Sequence, residues 1–208
     1  MPKLFQINVT ANWGSTGKIA EDIGKVAMAN GWESYIAYGR DTKPQSTSVL
    51  IPVGNKWDMY YHILQTRVFD RHGLASKKAT QELVRKIDEI KPDIIHLHNI
   101  HGYFLNYEIL FGYLAKTNIP IVWTLHDCWL FTGHCAHFDM VKCDHWKSSG
   151  CATCNYKNTY PSSLLFSNSQ KNFEIKKHYF TSVKNMTLIP VSDWLSKFLN
   201  DSFLREYP

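Results

Sequence analysis

The residues able to do chemistry gather in three places. The apolar run Ile119-Pro120-Ile121-Val122-Trp123-Thr124-Leu125 stops abruptly at His126 and Asp127. Upstream, Asp93-Ile94-Ile95 leads into His96-Leu97-His98-Asn99, with His101, Gly102 and Tyr103 just beyond. Both runs have the apolar, β-branched character of strands buried on both faces. Open α/β sheets bind ligands at the carboxyl ends of their strands, so two strands ending this way predict one shared binding edge. His126 there could contact a ligand, or it could be a structural histidine tied to Asp127. His96 and His98 share a strand face, because side chains alternate, and His96 could simply pack.

The second place is Gly14-Ser15-Thr16-Gly17, between a strand-like start and a helical pattern. A helix opening at Ser15 or Thr16 would present free backbone N–H groups and a dipole to a phosphate. The motif is neither a dinucleotide fingerprint nor a P-loop, and its glycines could serve only the turn.

The third place holds all five cysteines, between Cys128 and Cys154. Cys135, Cys143, Cys151 and Cys154 follow C-x7-C-x7-C-x2-C, and the closing CxxC is a metal-ligand spacing. The surrounding segment is poor in aliphatic residues, so a structural zinc is expected to supply stability it lacks. Free thiols and disulfides are the alternatives, and His134, His137 and His145 could replace a thiolate. Cys128 reads as a buried small residue.

The elements that must position these groups alternate along the chain. Residues 3–9, 34–38, 49–53, 93–98 and 187–191 read as strands, with the run after Ile119 as the central one. Gly39-Arg40-Asp41 is the exit loop of the second strand. Helical patterns cover residues 56–71, 76–90, 105–116 and 170–182, and a last helix is capped by Ser192 or Asp193. The first helix is expected to bury Ile19, Ile23, Val26 and Ala27. This alternation predicts an α/β fold with a doubly wound, mostly parallel, Rossmann-like sheet and a Cys-rich insertion at about 128–160.

The 208 residues, 44% hydrophobic and 20% charged, describe a globular chain long enough for one good core. No apolar run reaches the ~18 residues of a membrane span, and no signal peptide is visible, so the cytoplasm is the expected compartment. Residues 1–139 hold 14 Lys/Arg against 13 Asp/Glu, whereas residues 140–184 hold seven against two. That basic stretch is either a solvated helix face or a surface for phosphate, nucleic acid or an anionic membrane.

Taken together, GSTGKIAEDIG, KPDIIHLHNIHGYFLN, IPIVWTLHDCWLFTGHCAHFD and PVSDWL resemble a bacterial family-4 glycosyltransferase of the GT-B fold, in order and over nearly the whole chain. The resemblance implies a retaining enzyme with two Rossmann-like domains, the N-terminal one on the acceptor side. It places Gly14, Ser15, Thr16 and Gly17 under the diphosphate of a nucleotide-sugar. It puts His126, with Asp127, beside the transferred sugar, and His98, Asn99, His101 and Tyr103 on the acceptor side. The implied partners are a C-terminal donor domain and a glycan or lipid-linked acceptor, at the inner face of the membrane. The family's glutamate-containing donor motif has no match here, so this chain is expected to be an N-terminal half, inactive alone. Two other readings compete: a metal-dependent hydrolase using His96, His98, His101 and His126, and a non-catalytic binding module. No nucleic-acid motif supports the latter as a nucleic-acid binder.

Overall fold

A computed structural model describes residues 1–40 and 45–208 of the chain; Asp41 of the expected exit loop lies outside them. Six strands form one parallel sheet among the described residues: β1 (Lys3–Asn8), β2 (Glu33–Tyr38), β3 (Val49–Pro52), β4 (Ile94–Leu97), β5 (Ile121–Leu125) and β6 (Met186–Pro190). Their order is β3-β2-β1-β4-β5-β6. The chain winds outward from β1 to β3, returns beside β1 as β4, and winds the other way. The reversal between β1 and β4 is the topological switch point, where the connections diverge and leave a crevice. The Ile121–Leu125 run is therefore not central: it is β5, next to the β6 edge, and β1 and β4 form the middle.

The two faces of the sheet differ in chemistry. Phe5, Ile7, Ile95, Leu97, Ile121, Trp123 and Leu125 enter one large core. They meet Leu83 and Ile87 of α3 (Lys77–Ile90), Leu110, Phe111 and Leu114 of α4 (Tyr107–Leu114), and Phe180 of α6 (Ser169–Phe180). Each large side chain buried there contributes roughly 1.5–3 kcal/mol. The alternate strand positions Gln6, Asn8, His96 and Thr124 are buried but polar. On their face, among the described residues, a small apolar cluster buries Ala11, Ala20 and Ile36, with Tyr38 and Leu50 packed against it.

Helix α1 (Gly14–Ala29) covers β1 and β2 on this polar side, burying Gly17, Ala20, Glu21 and Gly24. The expected inward residues Ile19 and Val26 are instead 38% and 64% exposed. The reason is distance. A Cβ on Gly24 would lie 2.6 Å from Ser48 Oγ and 2.7 Å from Ser34 Oγ, so only small residues fit against the sheet. Size, not hydropathy, chose the buried face of α1. The Glu21 carboxylate accepts the Thr47 N–H at 2.9 Å and the Thr47 and Ser46 hydroxyls, which ties α1 to the approach to β3.

Helix α2 (Lys56–Phe69) starts with a capping box between Asn55 and Asp58 and stops at Asp70, which is left-handed at φ 51°. The buried Asp70 carboxylate accepts His134 Nδ1–H at 2.7 Å and the Asn168 N–H at 2.8 Å. These bonds clamp the segment between β5 and α6 onto the end of α2. That segment holds 3-10 turns at Trp129–Phe131 and Asp139–Val141 and the short α5 (His145–Ser148). Its Phe131, Phe138 and Trp146 rings pack with centroids 4.9–6.2 Å apart, and Phe198 of α7 (Asp193–Asn200) joins them. The segment expected to lack a core has an aromatic one.

Lys176, expected on a solvated basic helix, is buried as well. Its ammonium donates to Trp129 O at 2.6 Å and Thr132 O at 2.9 Å, and burial pushes its pKa down to about 7.

Candidate functional site

Four histidines and Asp127 meet at the carboxyl ends of β4 and β5, beside the switch point. The His96 and His98 rings stack at 4.1 Å, as strand alternation requires, and His126 stacks on His98 at 5.7 Å. Burial depresses both strand histidines, His96 to about 4 and His98 to about 2, with the neighbouring imidazoles adding to the effect. Both are neutral at pH 7, so each ring carries one proton and its partners decide where.

Those partners form a chain. Gln6 Nε2 donates to Ala20 O at 2.8 Å, which turns Gln6 Oε1 toward His98 Nε2 at 3.1 Å as an acceptor. His98 therefore holds its proton on Nε2 and leaves Nδ1 bare. His126 Nε2 lies 3.5 Å from that Nδ1 and is its donor, a long bond. This network assignment leaves His126 Nδ1 as an acceptor without a partner among the described residues. His126 is half-buried, and burial lowers its pKa although Asp127 opposes the shift. His126 is thus placed to accept a hydrogen bond from a ligand hydroxyl at the edge of the crevice.

Asp127 is not the partner of His126. Its Oδ2 accepts from His101 Nε2 at 2.8 Å and its Oδ1 accepts the Trp129 N–H at 2.9 Å. Burial alone would raise this carboxyl, but His101 and the Trp129 amide outweigh it and hold the pKa below the usual value. With both oxygens occupied, Asp127 orients His101 and the turn that follows. Tyr160 OH, from the far end of the cysteine segment, donates to His101 Nδ1 at 3.3 Å. The small cavity between His98, Asn99, His101, His126 and Asp127 measures about 20 Å³, room for one water. Asn99, which lines it, has a buried Oδ1 with no hydrogen-bond partner among the described residues. Tyr103 lies elsewhere, packed in the interior with its ring 4.9 Å from His72.

The glycine loop reaches the same edge. Helix α1 begins at Gly14 after Trp13, with no side-chain cap and no acid in its first turn, so Ser15 and Thr16 sit inside the helix and do not cap it. Gly14 and Ser15 are exposed, and their end of the helix offers N–H groups to an anion. A Cβ on Gly17 would lie 2.7 Å from Thr10 Oγ1, so glycine lets the helix start close to the loop. Asn8 joins the loop to the histidines: its Nδ2 donates to Thr10 O and Thr16 Oγ1, and its Oδ1 accepts the Asn99 N–H at 3.1 Å. Asn8, Gln6 and Tyr160 were not singled out by sequence. The strand alternation that pairs Gln6 with His96 could have pointed to Gln6.

The metal readings find no support among the described residues. Among the described residues, no group of three or more His, Cys, Asp or Glu side chains is arranged to hold a metal ion. Cys135, Cys143, Cys151 and Cys154 come close enough to disfavour one another's thiolates; burial first, then that repulsion, raises Cys135 to about 12. Cys151 rises to about 11 by burial, and its Sγ accepts the Gly133 N–H at 3.2 Å. The packing the segment was expected to need from a metal comes instead from its aromatic rings. The hydrolase reading is likewise without support. His96 is bonded to Thr124, His98 to Gln6 and His101 to Asp127, so their nitrogens point at separate protein partners.

A parallel α/β sheet with polar groups at its switch point defines a ligand-binding domain of the Rossmann type. Glycosyltransferase Family 4 matches residues 17–161, and the chain belongs to that family. It is 29% identical over 170 residues to WcaC of Escherichia coli strain K12, named as a colanic acid biosynthesis glycosyl transferase; the alignment covers 76% of this chain and 40% of WcaC. The crystal structure of glycosyltransferase VinC in complex with DTDP aligns over 90% of this chain and 49% of VinC, at 11% identity and a TM-score of 0.41. A likeness that slight carries no argument. The chain spans less than half the length of either protein.

Proposed function

We propose that this chain is the acceptor-side half of a retaining glycosyltransferase that moves a sugar from a nucleotide-sugar to a glycan or lipid-linked acceptor. The family match over residues 17–161 carries the reading, and the clustering of polar groups at one sheet edge supports it. In this reading the exposed start of α1 at Gly14–Gly17 lies under the donor diphosphate, and a second Rossmann-like domain completes the cleft. His126 accepts a hydrogen bond from a hydroxyl of the transferred sugar. His98 and Gln6 fix the tautomer that lets it do so, and Asn99 faces the acceptor with its unpaired Oδ1. Asp127 and His101 position the edge. The half-site orients its substrates, which is a contribution of geometry. The likeness to WcaC supports a role in polysaccharide synthesis.

The test compares the 208-residue chain with the complete protein against a panel of nucleotide-sugars and a lipid-linked glycan extract. Transfer is expected only when the donor-side half is present. Robust turnover by the 208 residues alone would overturn the division of labour.

A further inference from the structure

Strand β1 stands at the switch point, between the glycine loop and the histidine edge. Its polar face carries two fully buried carboxamides, Gln6 and Asn8, on the side that α1 covers. An apolar side chain could be buried there at lower cost, because a buried amide is tolerated only when its hydrogen bonds are made. Both amides make them in the same sense.

Each spends its nitrogen on the α1 side and its oxygen on the β4 side. Gln6 Nε2 donates to Ala20 O of α1 at 2.8 Å, and Gln6 Oε1 accepts His98 Nε2–H at 3.1 Å. Asn8 Nδ2 donates to Thr10 O at 2.8 Å and to Thr16 Oγ1 of α1 at 3.3 Å, while Asn8 Oδ1 accepts the Asn99 N–H at 3.1 Å. Neither amide can be turned over. Ala20 O and Thr10 O only accept and the Asn99 N–H only donates, so these partners fix which end points where.

The α1 side of the two bridges is stiff. Thr10 Oγ1 donates to Trp13 O at 2.7 Å and the Asn12 N–H donates to Gly17 O at 3.1 Å. Asn12 and Gly14 are both left-handed, at φ 48° and 66°. The β4 side leads onward, because His98 Nδ1 accepts from His126 Nε2 and Trp123 Nε1 donates to His98 O at 2.9 Å. A shift of α1 along the sheet therefore strains bonds that end on His98 and Asn99.

We propose that Gln6 and Asn8 are positioning residues that couple the start of α1 to the His126–Asn99 edge, so that an anion at Gly14–Gly17 sets the geometry of the groups facing sugar and acceptor. The inference rests on the proposed placement of the donor diphosphate at that loop. It adds reciprocity: the factor by which the donor changes acceptor affinity is the factor by which the acceptor changes donor affinity. Both residues act through others, since neither reaches the surface.

The test titrates the isotope-labelled chain with inorganic diphosphate and follows its amide and imidazole signals by NMR. Diphosphate should shift the Gly14–Gly17 amides together with the Asn99 amide and the His126 ring. Asn8→Ala should abolish the Asn99 response and Gln6→Met the His126 response, while the Gly14–Gly17 amides still move. Gly17→Ala perturbs the start of α1 without any ligand, since its Cβ would lie 2.7 Å from Thr10 Oγ1, and should shift the Asn99 and His126 signals too. If Gln6→Met does not fold, Asn8→Ala and Gly17→Ala read the same coupling. In the complete protein, with the donor that the nucleotide-sugar panel selects, Gln6→Met should lower kcat by about tenfold or more with donor KM within about twofold. A side chain that only fills space would lower the melting temperature and spare kcat. Edge responses that persist in the variants, or that are absent both with diphosphate and in Gly17→Ala, would overturn the coupling. Gly14–Gly17 amides that ignore diphosphate, beside an edge that answers Gly17→Ala, would retain the coupling and strike the phosphate placement instead.

Discussion

At the sheet edge, His96, His98 and His101 lie buried among apolar walls, while on α2 Trp57 and Tyr61 stand in solvent. One region has taken polar groups out of water and the other has left apolar groups in it. The costs are managed differently. Each edge histidine has a specific partner, Thr124, Gln6 or Asp127, and these bonds fix tautomers and ring positions to within a narrow geometry. Among the described residues, the exposed rings of α2 make ring contacts only with one another and with Phe166. A buried polar network sets its own geometry through internal bonds. An exposed aromatic face has its position set only by what lies beneath it.

Breaking the join between the two regions should have the largest effect. Asp70 ends α2 and holds His134 of the segment that follows the edge, with both side chains buried. Asp70→Ala should cost about 3–5 kcal/mol of stability, because it strands a buried partner. Denaturant unfolding measures this, and an unchanged midpoint would show that the clamp is dispensable. Next is His126→Ala in the complete protein. A hydrogen bond strengthened in the transition state is worth roughly 2–4 kcal/mol, so turnover should fall about 30- to 1000-fold. The melting temperature should barely move, because His126 is half-buried and keeps only the long bond to His98. A lower melting temperature at wild-type turnover would make His126 structural.

Acid should distinguish the two regions more gently. His96 and His98 titrate near 4 and 2 in the fold, below the ordinary 6.5 of the unfolded chain. The unfolded state therefore binds more protons as pH falls below 6.5. Stability is complete above that value and drops by about 1.4 kcal/mol per pH unit per histidine, down to about 4 for His96 and about 2 for His98. Urea titrations from neutral pH toward pH 5 should show this slope, and His96→Gln should flatten it. Smallest of all, a chelator should leave the melting curve where it is, since aromatic rings give the cysteine segment a packed core of its own. A chelator-induced drop would restore the metal reading of Cys135, Cys143, Cys151 and Cys154.

What the sequence determined by itself was local. The order of strands and helices followed from apolar periodicity, and the polar edge followed from His96, His98 and His126 standing where apolar strands stop. Ser192 was legible as the cap of α7, and its Oγ accepts the Leu195 N–H at 3.2 Å. Tertiary structure decided whatever depended on how closely two distant elements approach. Ile19 and Val26 fell on an apolar stripe, yet the closeness of Ser34 and Ser48 to Gly24 turned α1 onto its small residues. The cysteine segment read as coreless because Phe131, Phe138 and Trp146 are scattered along it and meet, with Phe198, only in space. Tyr160 reaches His101 across 59 positions, a contact no spacing encodes. The helical pattern over residues 56–71 did not say which way α2 faces; the bonds of His62 to Ser76 and Gly73 fixed it. Periodicity says that a helix has two faces; only the partners packed against it choose which one is buried.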